Sequence, residues 1–106
     1  YKMAGVFNQV VSIGNIEMLE WLQHVGYTYD IDSCKITAKY NNLTVLKWLR
    51  NQGCSWNEDT TLTACINGSF DVLKYALKHN CPCDIDACYD KAGSSNKAIR
   101  EFLTNN

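Results

Sequence analysis

The chain has 106 residues, of which 46% are hydrophobic and 20% are charged, as is typical of one folded domain. Ten Lys and Arg residues oppose eleven Asp and Glu residues, so the formal net charge is −1. This balance argues against a strongly basic nucleic-acid binder. No apolar run approaches the roughly 18 residues that a membrane span needs, and the start of the sequence shows no signal-peptide pattern. Neither nucleic acid nor a membrane is therefore an expected partner.

An amphipathic pattern recurs with a period of 27, in segments that begin at positions 17, 44, 71 and 98. In the first segment, Leu19, Leu22 and Val25 follow the spacing of one face of an α-helix. One aromatic position recurs in all four segments, as Trp21, Trp48, Tyr75 and Phe102. Residues that tolerate a left-handed backbone end the first three segments, at Gly26, Gly53 and Asn80. The pattern predicts a helix in each segment, with the recurring aromatic residue in the core.

A shorter helix is expected before each of the later segments, over residues 33–40, 60–67 and 87–94. Aspartates one period apart are its predicted N-caps, at Asp32, Asp59 and Asp86. A position of small residues would let neighbouring short helices pack closely: Val11, Ala38, Cys65 and Ala92. The predicted turns between the short and long helices fall at Gly14, Asn41, Gly68 and Ser95.

The predicted fold is all-α: a solenoid of four stacked helix-turn-helix units, about residues 1–30, 31–57, 58–84 and 85–106. The last unit is expected to be a C-terminal cap, because charged residues replace apolar ones at Lys91, Lys97 and Arg100. The first unit shows no such change, and Tyr1 falls at a loop position. The chain is therefore expected to be a fragment of a longer array.

Two segments carry a family resemblance. Residues 68–76, Gly-Ser-Phe-Asp-Val-Leu-Lys-Tyr-Ala, resemble the turn and second helix of an ankyrin repeat. Residues 44–57, Thr-Val-Leu-Lys-Trp-Leu-Arg-Asn-Gln-Gly-Cys-Ser-Trp-Asn, resemble more closely a short ankyrin variety with a Trp-Leu-x3-Gly-Cys-x-Trp-Asp signature. That variety is numerous in giant DNA viruses, amoebae and oomycetes. Residues 81–84, Cys-Pro-Cys-Asp, follow the same phase.

The sequence departs from the common ankyrin pattern in two ways. Its period is 27 rather than about 33. The Thr-Pro-Leu-His motif is absent, and residues 59–62 stand in its place. The resemblance thus implies short loops without projecting hairpin fingers.

Six cysteines raise the question of disulfides. Cys54 and Cys81 occupy equivalent positions, as do Cys34 and Cys88. Equivalent residues on stacked helices lie about 8–10 Å apart, whereas a disulfide needs Cα atoms within about 7 Å. Reduced, structural thiols are therefore expected, consistent with an intracellular, cytoplasmic location, or with a virion or host cytoplasm if the protein is viral.

A metal site is the less favoured interpretation of these cysteines and of the aspartates in the loops. Zinc would need Cys81, Cys83 and Cys88 together with His79, a spacing that matches no common site. Calcium at Asp84 and Asp86 would lack the glycine bend and closing glutamate of a calcium loop, and helix capping explains the same aspartates. No metal or cofactor is expected.

No catalytic constellation stands out. His24 and His79, the only two histidines, occupy non-equivalent positions near helix ends, and the phosphate loop, dinucleotide fingerprint and nucleophile elbow are absent. The chain is therefore not expected to be an enzyme or to take a small-molecule substrate. Tyr29 and Trp56 are expected to cover the seams between units, with ligand stacking as the less favoured role.

By resemblance to ankyrin arrays, the concave face of the first helices is expected to bind a partner protein. The residues carried over onto this chain are Lys35, Lys39, Tyr40, Leu62, Ile66, Asn67 and Tyr89. Tyrosine is enriched at interface hot spots. The predicted function is a protein–protein interaction module, or a target-recruiting adaptor if further domains flank it. The alternative is a scaffold or spacer segment of a larger viral or cellular assembly.

Overall fold

Eight α-helices follow one another through short connections in the computed structural model, which describes residues 4–93 and 96–105. The helices are α1 Ala4–Ile13, α2 Ile16–His24, α3 Ser33–Tyr40, α4 Leu43–Asn51, α5 Glu58–Asn67, α6 Phe70–Lys78, α7 Ile85–Ala92 and α8 Lys97–Thr104. The described part of the chain contains no strand, which confirms the all-α prediction. Predicted positions Tyr1, Ser94, Ser95 and Asn106 lie outside the described residues.

The odd-numbered helices form a row. Helix α1 packs on α3, α3 on α5, and α5 on α7, while each even-numbered helix packs on the odd-numbered helix before it. Helix α4 also packs on α6. The molecule measures 44 × 23 × 20 Å, so its long dimension is about twice either of the others.

Each odd-numbered helix carries a small residue at the same position of the repeat. Val11, Ala38, Cys65 and Ala92 are all buried, as the sequence predicts. The even-numbered helices add a layer of buried leucines to the same core, at Leu19, Leu46 and Leu73. Burying each leucine contributes about 1.5–3 kcal/mol.

Residues with a left-handed backbone conformation form the predicted turns. The turns after α1, α3 and α5 contain Gly14, Asn41 and Gly68, with φ of 86°, 53° and 70°. At Gly68, an added Cβ would lie 2.8 Å from Nδ2 of Asn96. Glycine is therefore favoured there by its positive φ, and any larger residue would also have to displace the Asn96 side chain. The residues after the second helices, Gly26, Gly53 and Asn80, also have positive φ.

The predicted N-caps at Asp59 and Asp86 are wrong. Helix α5 is capped by Asn57, whose Oδ1 accepts from the Asp59 N–H at 2.9 Å. Helix α7 is capped by Asp84, whose Oδ1 accepts from the Ala87 N–H at 3.1 Å. The true caps have extended backbones, and this conformation separates them from the acidic residues of the first turn.

At α3, Asp32 occupies the N-cap position but makes no side-chain cap bond. Asp30 replaces it, since its Oδ1 accepts from the Asp32 N–H at 2.9 Å. In return, the Asp30 N–H donates to Oγ of Ser33 at 3.0 Å. Asn57 and Thr60, one period further on, form the corresponding reciprocal pair, which is the capping box.

The even-numbered helices have caps that sequence reasoning misses. Oδ1 of Asn15 accepts from Met18 N–H, and Oδ1 of Asn42 accepts from Val45 N–H, both at 3.1 Å. Ser69 occupies the same position before α6, but its buried Oγ has no hydrogen-bond partner. Asparagine thus satisfies a free helix N–H at two of these turns.

Trp21 does not lie in the core as predicted, because 60% of its surface is exposed. Its counterparts each contact an aromatic ring from an earlier helix pair or turn. Trp48 stacks on Phe7 with centroids 6.3 Å apart, and Tyr75 meets Trp56 edge-on at 6.1 Å. The described residues place no ring on the corresponding side of Trp21.

The charged residues of the last unit avoid the core. Lys91 and Lys97 are exposed, and the Arg100 guanidinium lies 4.4 Å from the centre of the Tyr89 ring. Nε of Arg100 also donates to the Tyr89 carbonyl oxygen at 3.1 Å. These residues meet water or a polar partner, as an outer face requires.

Replacing the observed cap should cost more stability than replacing the predicted one. We expect Asn57→Ala to lower the free energy of unfolding by about 1 kcal/mol, because an N–H of the first turn loses its acceptor. Asp59→Ala is the matched control and should cost less, because the helix-dipole contribution of an exposed acid, about 0.3–1 kcal/mol, is offset by the higher helix propensity of alanine. Urea unfolding followed by circular dichroism measures both, and a larger loss for Asp59→Ala would contradict the assignment.

Candidate partner-binding face

The predicted binding residues lie on three consecutive odd-numbered helices. We call this set the binding face: Lys35, Lys39 and Tyr40 on α3, Leu62, Ile66 and Asn67 on α5, and Tyr89 on α7. Helices α3 and α5 contact each other, as do α5 and α7. Packed helices lie about 8–10 Å apart, so residues at corresponding positions on these helices are neighbours.

The exposed part of the binding face lies at the C-terminal ends of α3 and α5. Tyr40 and Ile66 are each 53% exposed, and Lys39 and Asn67 are exposed beside them. The Lys39 ammonium lies 5.5 Å from the centre of the Tyr40 ring. This region therefore presents an aromatic ring, an aliphatic side chain and a cation to solvent, and aromatic residues are enriched at protein interfaces.

The half-buried part comprises Lys35, Leu62 and Tyr89, which occupy corresponding positions on the three helices. Leu62 and Tyr89 pack against the hydrophobic core. Tyr89 also faces α8, where it lines a groove of about 330 Å³ with Lys97 and Arg100. Since Arg100 covers the Tyr89 ring, Tyr89 lies at the edge of the binding face rather than with Tyr40 and Ile66.

The surface extends onto α1, which sequence reasoning misses. Lys39 and Tyr40 line a groove of about 270 Å³ together with Asn8 and Ser12 of α1. Ile13, one period before Tyr40, is 74% exposed. The recurring spacing carries this signal, since counting back one period from Tyr40 reaches Ile13.

A second apolar surface lies on the outer side of the first helix pair. We call it the α1–α2 face; its exposed members are Val6, Met18 and Trp21. The residues one and two periods after Met18 are Val45 and Val72, and both are completely buried. Side chains that other helix pairs cover are therefore open to solvent here.

The cysteines lie mainly inside the protein. All six are free, and only Cys83 retains partial exposure. The Cys54 thiol donates to the Asp30 carbonyl at 3.5 Å, and the Cys81 thiol, one period later, donates to the Asn57 carbonyl at 3.4 Å. These bonds tie the start of one loop to the capping residue of the preceding loop, which is a structural role.

Tyr29 and Trp56 make their contacts at the seams between units, as expected. The Tyr29 hydroxyl donates to the Gln52 carbonyl at 2.9 Å. The Trp56 ring lies under the Arg50 guanidinium, 4.1 Å from its centre. Both side chains therefore hold loops against neighbouring helices.

Two further thiols lie close together. The sulfurs of Cys83 and Cys88 are 3.5 Å apart. Burial raises the pKa of Cys83 to about 12 and that of Cys88 to about 11. The side-chain hydrogen bond with Cys54 and burial raise the pKa of Cys34. These thiols stay protonated near neutral pH.

The parts of the chain described hold no cluster of metal-binding side chains. No group of three or more His, Cys, Asp or Glu residues is placed there to hold a metal ion. His79 packs on Tyr75 with ring centroids 4.2 Å apart, and His24 is the last residue of α2. Within the same residues, no helix has the length and apolarity to cross a membrane.

No family model matches this sequence, and no curated protein is significantly similar to it.

Alkylation by iodoacetamide should follow the exposure and the pKa of each thiol. We expect Cys83 to react first, because the other five cysteines are buried. Its rate should still rise about tenfold from pH 9 to pH 10, because the thiolate is the nucleophile and its pKa is about 12. A free cysteine should change less than about twofold over that interval. Peptide mass spectrometry measures the rates; a rate for Cys83 that levels off near pH 9 would contradict the burial described.

Proposed function

We propose that this protein is an ankyrin-like α-solenoid whose binding face holds a partner protein. Three features support the proposal: the row of odd-numbered helices, the left-handed turns at positions 14, 41 and 68, and the elongated shape. Each helix pair packs mainly on its neighbours, as in stacked repeats. An array of this kind offers a wide, rigid surface rather than an enclosed site.

The observation that carries the proposal is the exposure of Tyr40 and Ile66 on adjacent, directly packed helices. Leaving a large apolar side chain exposed to water forgoes the free energy of its burial. At interfaces, tyrosine supplies much of the binding energy. Short helices anchored in a buried core hold both side chains in place. Little conformational entropy is then lost on binding.

The charge of the binding face indicates what kind of partner surface would complement it. The seven residues of the binding face include Lys35 and Lys39 and no acidic residue. A partner with acidic groups around an apolar patch would complement this face. The protein would then serve as a target-recruiting adaptor, in a reducing compartment such as the cytoplasm, where free thiols persist.

A scaffold or spacer segment is the second candidate function. The α1–α2 face favours it, because Val6 and Met18 occupy positions that the next two helix pairs bury, and Trp21 is more exposed than its half-buried counterparts Trp48 and Tyr75. Another helix pair, of whatever chain, would bury the same side chains. In that case the contact that matters is α1–α2 rather than α3–α5.

A pull-down from cell lysate with four forms of the protein separates the two functions. We expect Tyr40→Ala/Ile66→Ala to lose a protein that the unmodified chain retains, with a loss of about 2 kcal/mol or more in affinity if the pair is a hot spot. Trp21→Gln should retain it.

The matched control is Ile31→Ala/Ile85→Ala, which removes two exposed isoleucines away from the C-terminal helix ends: Ile31 lies in the loop before α3, and Ile85 is the first residue of α7. This variant should bind normally. Loss of binding with Trp21→Gln alone would favour the scaffold. Equal capture by all four forms, or capture by none, would contradict an interaction through the binding face.

A further inference from the structure

Two cysteines occupy the positions that clamp the start of α7. Cys83 immediately precedes the N-cap Asp84, and Cys88 lies four residues after it. Side chains at these two helix positions commonly pack together as a hydrophobic staple. The corresponding pairs in the earlier units are Tyr29 with Cys34 and Trp56 with Thr61. Only before α7 are both members cysteine.

We propose that Cys83 and Cys88 form a modification site, in which hydrogen peroxide oxidises the two thiols to a disulfide that links the loop to the first turns of α7. Their sulfurs are 3.5 Å apart, and a disulfide bond is about 2.05 Å long. Side-chain rotation at a loop residue can supply most of the remaining approach. The loop position of Cys83 makes it the more adaptable of the two.

Access singles out this pair among the six cysteines. Cys83 is the one cysteine that is not buried, so an oxidant meets it first. Cys34 lies near the Cys54 carbonyl, but both residues are completely buried. Cys65 also interacts with Cys88, yet it is held inside α5 with no exposed surface.

The chemistry balances with hydrogen peroxide as the only co-reactant. The Cys83 thiolate attacks one peroxide oxygen, the O–O bond breaks, and sulfenic acid and water result once a proton is taken up. The Cys88 sulfur then attacks the sulfenic sulfur, the S–O bond breaks, and a second water leaves. Two thiols lose two electrons and two protons, and one peroxide becomes two waters.

The surroundings of Cys83 and Cys88 favour the protonated thiols and so slow their oxidation. Burial, the Cys88 thiol and the Asp84 carboxylate all raise the pKa of Cys83, whereas the hydrogen bond with the Thr61 hydroxyl lowers it. Burial likewise raises the pKa of Cys88. Because few thiolates form near neutral pH, oxidation requires sustained peroxide rather than brief exposure. The disulfide would then restrain α7, the helix that carries Tyr89.

Tryptic peptide mapping of the folded protein after peroxide treatment tests the site. Residues 79–91 form one tryptic peptide that contains Cys81, Cys83, Cys88 and no methionine. We expect this peptide to lose about 2 Da on oxidation and to regain it with dithiothreitol. Peptide 51–74, which carries Cys54 and Cys65, should keep its full mass.

Matched variants assign the bond. Cys83→Ser, at a half-buried loop position, should abolish the mass loss, and Cys81→Ser should leave it unchanged. Fragmentation of the oxidised peptide should show no cleavage product between residues 83 and 88. The proposal is overturned if peptide 79–91 keeps its full mass, if the loss survives Cys83→Ser, or if a Cys65–Cys88 link joins the two peptides.

Discussion

Close approach of the odd-numbered helices is the constraint on which the remaining structure depends. These helices pack on one another in a row, and each carries one small, buried residue at the same position of the repeat: Val11, Ala38, Cys65 and Ala92. Side chains of this size permit a short interhelical distance, and the even-numbered helices can then cover the row with their leucines. Tyr40 and Ile66 thus lie at the C-terminal ends of two helices that pack directly on each other. The candidate binding surface is thus a consequence of the core.

Polar bonds at the helix ends fix the connections between these packed elements. The Asp30–Ser33 and Asn57–Thr60 capping pairs satisfy helix N–H groups, and the thiol of Cys54 bonds the Asp30 carbonyl. A short loop can then join two helix pairs without leaving buried polar groups unpaired. Short loops also explain why the helices themselves, rather than projecting hairpins, form the exposed surface.

The sequence predicts the helices and their turns well, because both depend on local patterns. The recurring aspartate position predicts α3 at its observed bounds, although α5 and α7 begin two residues earlier than predicted. Residues that tolerate a left-handed backbone predict the turns at Gly14 and Gly68. The caps at Asp59 and Asp86 are wrong, because an acidic residue is favourable both at the N-cap and within the first turn. Sequence periodicity cannot distinguish these two roles, whereas backbone conformation does.

Burial at the edges and contacts between non-equivalent positions are harder to predict. Trp21 has the same spacing as Trp48, but its exposure depends on which rings lie next to it in space. Stacking keeps equivalent cysteines apart, so a comparison of equivalent positions misses Cys83 and Cys88. These two meet because one lies just before a helix and the other one turn inside it. Ile13, by contrast, can be found from the sequence by counting back one period from Tyr40, although the predicted binding residues do not include it.

Isoleucine methyl NMR of the protein with its captured partner tests the central claim, that α3 and α5 present a partner-binding surface. The isoleucines report on both ends of the odd-numbered helices: Ile13 and Ile66 lie near C-terminal ends, and Ile31 and Ile85 lie near N-terminal ends. We predict that the δ1-methyl resonances of Ile66 and Ile13 shift or broaden on binding, while those of Ile31 and Ile85 stay unchanged. Shifts confined to Ile31 and Ile85, with Ile66 unaffected, would contradict the account.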